Sequence, residues 1–172
     1  MESNEDAFTA WAGSRQHALL RTAFLVSGDS GRAEDLVQEA LVKVAMRWAR
    51  LSDSNPEAYA RTIIYRDNIS WWRRRKDHPV DVLSDDPAPH DPAPHDSDLH
   101  ERRLMIAEAL SRLTPKQRAA VVMRYFDDLT EAECARLLGV SVETIKSQAH
   151  VALANLRAGS PELAELLGDA RR

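Results

Sequence analysis

Residues Glu131–His150 run EAECARLLGVSVETIKSQAH. The spacing is that of two short helices joined by a tight turn. Ala135 is small where a second helix would cross the first. Gly139, four residues on, stands where the turn needs positive φ, which glycine adopts without steric cost. Ile145, six further, returns to a small core that Cys134, Leu138 and Val140 are expected to complete. Thr130 with Glu133 forms a capping-box pattern before the first helix, and Ser141 is placed to cap the second. That second helix would present Ser141, Val142, Glu143, Thr144, Lys146, Ser147 and His150 to the edges of bases in a major groove. A plain helical hairpin with a glycine cap is the alternative; the small-Gly-Ile spacing, the two caps and the polar face together favour a helix-turn-helix. Glu143 reads equally as an acceptor for cytosine or as a first-turn carboxylate favoured by the helix dipole. The lone Cys134, on an apolar helix face, reads as core.

Upstream of this motif the helical pattern continues. A helix is expected over Asp98–Leu113. Thr114-Pro115-Lys116-Gln117 supplies a cap, an N1 proline and a Gln three residues after the cap, opening a helix expected to reach Phe126. Ser160-Pro161-Glu162 starts a short tail helix. In the N-terminal part, glycine and proline are sparse and apolar residues recur at three and four. Helices are expected over Ser3–Val26, with Phe8, Trp11, Ala18, Leu19, Phe24 and Leu25 among its apolar positions, over Arg32–Arg50, with Leu36, Val37, Ala40, Leu41, Val44 and Trp48 on its stripe, and over Pro56–Lys76. The turn 27–31 and the loop 52–55 separate them. No strand-like alternation of useful length appears.

Net charge is −4 over 172 residues, which read as one number argues against a nucleic-acid binder. The average hides its parts. Residues 1–76 carry 12 Lys and Arg against 10 Asp and Glu, a net +2. Residues 77–100 carry 7 Asp and no cation, a net −7, and hold five of the eight prolines and four of the six histidines. They include the tandem DPAPH at Asp86–His90 and Asp91–His95. Residues 101–172 return to +1. The middle segment cannot bury a core and is expected to be an extended linker; metal binding by its histidines and aspartates is the alternative reading. The expected fold class is therefore all-α: two small helical domains, 1–76 and 101–158, joined by an acidic Pro/Asp/His-rich linker, with a short tail at 159–172.

Ser70-Trp71-Trp72-Arg73-Arg74-Arg75-Lys76 sets two indoles beside four consecutive cations. Neighbours on a helix point about 100° apart, so both rings cannot easily face one core. Indoles stack on unpaired bases while cations hold the backbone. The alternative is a helix end whose charge complements the dipole, with one tryptophan packed inside. Beside a helix-turn-helix, the combination favours nucleic acid. Asp35, Gln38, Glu39 and Val42 form a stripe at i, i+3, i+4 and i+7 opposite Leu36, Ala40 and Val44; from spacing alone it is a solvated face.

One cysteine excludes a disulfide framework and any Cys-pair zinc site. No apolar run suits a membrane span. MESNEDAF is acidic and carries no signal-peptide pattern, so a cytoplasmic protein is expected. No catalytic, metal or cofactor constellation rises above background.

AEDLVQEALVKV and NPEAYARTIIYRDNISWWRRRK resemble consecutive segments of bacterial sigma factors, and LTPKQRAAVVMRYFDDLTEAECARLLGVSVETIKSQAHVALANLR resembles their C-terminal DNA-binding domain. The chain resembles the group IV, extracytoplasmic-function (ECF) sigma factors, and its WWRRR ending the actinobacterial SigE-like branch. The resemblance covers both helical parts. It implies a non-enzymatic protein that binds core RNA polymerase and directs it to promoter DNA, held in check in many members by an anti-sigma protein. It turns the stripe Asp35, Gln38, Glu39, Val42 into a polymerase-docking face. It assigns minus-10 DNA to the loop with Ser52, Asp53 and Asn55 and to Arg66, Asn68, Trp71, Trp72, Arg73 and Arg74, and minus-35 DNA to the seven residues of the second motif helix. Two family arginines are replaced here by Gln148 and Val151, so the isolated C-terminal domain is expected to hold DNA weakly. Many members carry Asn where Arg66 stands, so minus-10 sequence does not transfer. The linker would thread through polymerase, its acid standing in a nucleic-acid channel until nascent RNA displaces it. Two other readings remain: a duplex-binding regulator that works without polymerase, and an adaptor using the helices alone.

Overall fold

The computed structural model describes residues 3–77 and 97–169. Most of the expected linker, with its metal-binding alternative, lies outside the described residues. The chain divides into two compact units, within 1–80 and within 81–172.

The first unit is built on three long helices. Helix α1, Asn4–Ser27, opens on a capping box between Ser3 and Asp6 and ends at Gly28, which takes the left-handed conformation (φ 73°). Asp29 then caps α2, Ser30–Ala45, by accepting from the backbone N–H of Arg32. The turn between them is thus two residues long, shorter than the sequence pattern suggests, because Gly28 closes one helix and Asp29 opens the next. The expected continuation of α2 to Arg50 does not occur. The Arg47 N–H bonds back only three residues, to Val44 O at 3.0 Å, and Arg47 itself leaves helical geometry (φ −120°, ψ 10°). The chain restarts as the single turn α3, Trp48–Leu51. An aromatic cluster accompanies this break: the Trp48 ring packs on Phe8 and Trp11 of α1, with centroids 5.5 and 5.4 Å away. Helix α4, Pro56–Asp77, follows with proline at its first position.

Leu19, Ala23 and Val26 of α1, Ala33, Leu36, Val37, Ala40 and Val44 of α2, and Ala60, Ile63, Ile64 and Tyr65 of α4 form the buried interior. Each fully buried Leu, Ile or Val side chain contributes about 1.5–3 kcal/mol. The alanines on α2 let the helix backbones approach. Glu57 at the start of α4 pairs with Arg15 in the middle of α1 at 3.4 Å and with Arg61 one turn on in its own helix at 2.7 Å, so the first of these links α1 to α4.

The second unit comprises α5 (Ser97–Ser111), α6 (Pro115–Val121), a π-helical turn (Val122–Phe126), α7 (Glu131–Leu138), α8 (Val142–Gly159) and α9 (Pro161–Asp169). The expected helix to Phe126 therefore reaches its end, but its last five residues widen to i→i+5 bonding, closed by Asp127 N–H on Val122 O. Residues 118–124 are buried without a break, as befits a helix surrounded on all sides. Two of them are arginines. Arg118 Nε donates to Leu110 O at 2.8 Å, satisfying a carbonyl in the last turn of α5; burial pulls its pKa down to about 10. Arg124 Nη1 donates to Leu129 O at 2.6 Å. At the other end of the unit, Arg112 Nη1 donates to Gly159 O at 3.1 Å and closes α8. Helix α9 seats Leu163, Ala164 and Leu167 in the interior. No strand occurs among the described residues.

Candidate nucleic-acid and polymerase interfaces

The turn between α7 and α8 has the geometry the spacing predicts. Gly139 is left-handed (φ 66°, ψ 38°) and its N–H bonds Ala135 O. Thr130 and Glu133 form the capping box of α7. Ser141 caps α8 by accepting from Thr144 N–H at 3.1 Å, and its hydroxyl also meets the Thr144 hydroxyl at 2.9 Å. Cys134, Ala135, Ile145 and Ala149 are buried between the two helices. Val140 does not complete that core: it is 39% exposed, because the left-handed Gly139 turns the chain outward, and Leu138 is only half-buried. Burial pushes the Cys134 thiol up to about 11.

Ser141, Glu143, Thr144, Lys146, Ser147 and His150 are exposed and Val142 is half-buried. One relationship on this face escaped the sequence pattern. Glu131, at the start of α7, pairs with Arg124 of the π-helical turn at 3.5 Å and stands 3.9 Å from Lys146 of α8. Its partners, 7 and 15 residues away, lie on two other elements, so no pattern within one helix marks them. Val151, where the sequence lacks an expected arginine, is 41% exposed.

In the first unit, Asp35, Gln38, Glu39 and Val42 all face outward on α2, while Leu36, Ala40 and Val44 behind them are fully buried. Met46, 82% exposed, extends this row by one more turn. Sequence reading ended the row at Val42. Lys43 beside the row is held by Asp67 of α4 at 2.7 Å.

The residues expected to meet minus-10 DNA do not converge on one pocket. Ser52, Asp53 and Asn55 are exposed in the loop before α4, and Asn55 Oδ1 accepts from Ala58 N–H at 2.9 Å as the helix cap. Arg66 is exposed on α4. Trp71, Trp72, Arg73 and Arg74 lie toward its far end, sixteen residues or about 24 Å beyond Asn55 for Trp71. Asn68 leaves the set: it is 1% exposed and donates its amide to Val26 O of α1 at 3.0 Å, so it faces the interior. The two indoles are both half-buried and meet edge to face, centroids 4.9 Å apart at 83°. The guanidinium carbons of Arg32 and Arg75 lie 5.0 and 4.8 Å from the Trp71 ring centroid. The Arg75 contact is an i,i+4 pair within the WWRRR run, whereas Arg32 comes from α2 and no local pattern marks it.

No group of three or more His, Cys, Asp or Glu side chains able to hold a metal occurs among the described residues. No helix among them is long and apolar enough to cross a membrane.

Comparison with known proteins agrees with this arrangement. Residues 11–78 match the family model "Sigma-70 region 2" and residues 103–156 match "Sigma-70, region 4". The two regions in this order define a sigma factor, a protein that binds core RNA polymerase and promoter DNA and directs promoter-specific transcription initiation. The chain is 35% identical over 151 residues to the RNA polymerase sigma-E factor of Streptomyces coelicolor, covering 87% of this chain and 84% of that one. It is 31% identical over 153 residues to the ECF RNA polymerase sigma factor SigL of Mycobacterium tuberculosis, covering 86% of each. The chain belongs to the extracytoplasmic-function sigma factors. Among solved structures it is similar to the sigma factor RpoE of Bartonella quintana in complex with the anti-sigma factor NepR, at TM-score 0.66 and 27% identity, over 88% of this chain and 94% of that one. It shares its fold with CnrH, solved with the cytosolic domain of CnrY, at TM-score 0.58 and 19% identity, over 88% and 85% of the two chains.

Proposed function

We propose that the work of this sigma factor divides between its two units, the first spanning 1–76 and the second 101–158. Asp35, Gln38, Glu39, Val42 and Met46 dock on core polymerase. The loop with Ser52, Asp53 and Asn55, together with Arg66, Trp71, Trp72, Arg73 and Arg74, recognises and opens the minus-10 element. The α8 residues Ser141, Val142, Glu143, Thr144, Lys146, Ser147 and His150 read the minus-35 element. Extruding a base from the duplex costs a few kcal/mol, offset by stacking and pocket contacts. The chain itself performs no catalysis; polymerase forms the phosphodiester bonds. It acts in the cytoplasm. An anti-sigma protein covers one or both working surfaces in the resting cell; the similar RpoE is solved in complex with the anti-sigma factor NepR.

The observation that carries the docking assignment is the α2 row itself. An apolar Val42, 58% exposed, and an apolar Met46 continue a line of three polar residues on a helix whose opposite side is sealed in the core. Such a mixed patch suits a protein partner with an apolar centre and a charged rim. The test adds purified chain to core polymerase and a promoter library. Specific initiation that Val42→Glu reduces at least tenfold, through weaker core binding and with an unchanged melting curve, supports the assignment. Duplex binding without polymerase supports the independent regulator, and neither activity supports an adaptor.

A further inference from the structure

The two tryptophans of α4 are adjacent in sequence but differ in their surroundings. Trp71 is met by three groups: Arg75 one turn on, Arg32 from the first turn of α2, and the Trp72 ring. The ring contact of Trp72 among the described residues is Trp71. Arg32 is the link between helices. Its Nη2 reaches Asp67 O at 3.4 Å, and its Nε is buried without a hydrogen-bond partner among the described residues. The guanidinium is thus held at one end by a long bond to a backbone oxygen and laid by its body on the indole. Desolvation lowers its pKa from the ordinary arginine value, while Glu39, Asp35 and Asp67 favour the charge and Arg74 opposes it. A partly desolvated cation over an indole is the circumstance in which a cation–π pair is strongest.

We propose that Arg32 is a positioning residue for promoter opening: it pins Trp71 as the inner, supporting indole and thereby presents Trp72 as the ring that stacks on the base at the melted edge. The inference rests on the assignment of Trp71 and Trp72 to minus-10 DNA and deepens it by giving the two rings different roles. Trp71 with its guanidiniums forms the backing. Trp72, standing at 83° to that backing, cannot fold back flat against it and offers its surface to a base. Arg32 also lies three residues before Asp35 and seven before Glu39, on the same side of α2. The helix that would dock on polymerase therefore carries, at its start, the group that fixes the opening pair.

The test uses holoenzyme made from the full chain and a promoter selected by the wild type. That promoter is supplied as intact duplex and, in parallel, pre-opened by non-complementary strands around minus-10. Opening is followed by 2-aminopurine fluorescence, and the coupling of the indoles by near-ultraviolet circular dichroism of the free chain. Arg32→Ala is expected to slow opening of the duplex by about five- to tenfold, the scale of one such pair. It should change the tryptophan dichroism and leave initiation on the pre-opened template at the wild-type level. Arg32→Lys should recover most of the loss. Should the alanine variant fail to fold, Arg32→Gln, shorter and uncharged but still polar, carries the same expectation. Trp72→Leu is expected to weaken both templates, by tenfold or more for a lost base stack, and Trp71→Leu to weaken the duplex several-fold more than the pre-opened template. Wild-type opening rates with Arg32→Ala, equal losses on both templates, or identical behaviour of the two tryptophan variants overturn the inference while the proposed function stands. A wild-type holoenzyme that opens no promoter overturns both.

Discussion

Asn68 of α4 donates its side-chain amide to the carbonyl of Val26 at the end of α1, 3.0 Å away and shielded from water. The bond joins two helices at a point where α1 is running out of internal partners for its carbonyls. Removing the donor loses a hydrogen bond shielded from water, at a cost of about 0.5–1.5 kcal/mol. Asn68→Ala should therefore lower the melting temperature by several degrees. Promoter opening per folded molecule should stay at the wild-type level, since the side chain does not reach the surface. A thermal melt followed by circular dichroism gives the first quantity and fluorescence-detected opening the second.

Gly139 tests the turn between α7 and α8. A Cβ built on it would meet nothing within 4 Å. The entire cost of Gly139→Ala is thus the left-handed backbone, roughly 1–2 kcal/mol. Gly139→Asn should cost less, because asparagine tolerates that region. Urea titrations of the three proteins should rank them Gly, Asn, Ala. Equal midpoints for Gly and Ala would show that the turn relaxes out of positive φ.

The cap of α7 predicts a pH dependence. Glu133 accepts from the Thr130 N–H at 2.7 Å and from its hydroxyl at 2.8 Å. These bonds, the backbone one first, hold the Glu133 carboxyl below its ordinary value of 4.5. A carboxylate depressed in the folded state adds stability above the unfolded value, and that stability is lost as pH falls through the lowered one. Melting temperature should therefore drop more steeply below pH 4.5 in the wild type than in Glu133→Gln. Parallel profiles for the two proteins would contradict the assignment.

Cys134 should be silent to thiol reagents. With its pKa raised to about 11 by burial, only about one molecule in a thousand carries the thiolate at pH 8. Labelling by iodoacetamide at that pH should be far slower in the native protein than in urea, and its rate should follow the opening of the second unit.

Much of this was legible in the residues. The caps at Thr114, Thr130 and Ser141 and the left-handed Gly139 are local chemistry, decided within three or four neighbours, and each stands where the spacing puts it. What escaped was non-local. The end of α2 at Ala45 has no glycine or proline to mark it; it accompanies the meeting of Trp48 with Phe8 and Trp11, forty residues back. Asn68 read as a surface residue because its partner, Val26, lies on another helix. No local pattern marks Arg118 and Arg124, and only the fold shows them turned inward onto carbonyls. In the candidate interfaces, single-helix stripes such as Asp35–Val42 were readable, whereas Arg32 on Trp71 and Glu131 beside Lys146 needed tertiary structure.

The π-helical turn at Val122–Phe126 carries the arithmetic of an inserted residue. A wide turn takes up one residue more than an α turn over nearly the same axial length. Every side chain after it is rotated by about 100° relative to an uninterrupted helix. Delete one residue within this segment and the eleven residues left from Pro115 could close into regular α-helix, but Arg124 would swing off the Leu129 carbonyl and lose Glu131 with it. The bulge thus sets the phase between the buried shaft of the second unit and the two helices that follow, and a single-codon deletion there would turn α8 without touching it.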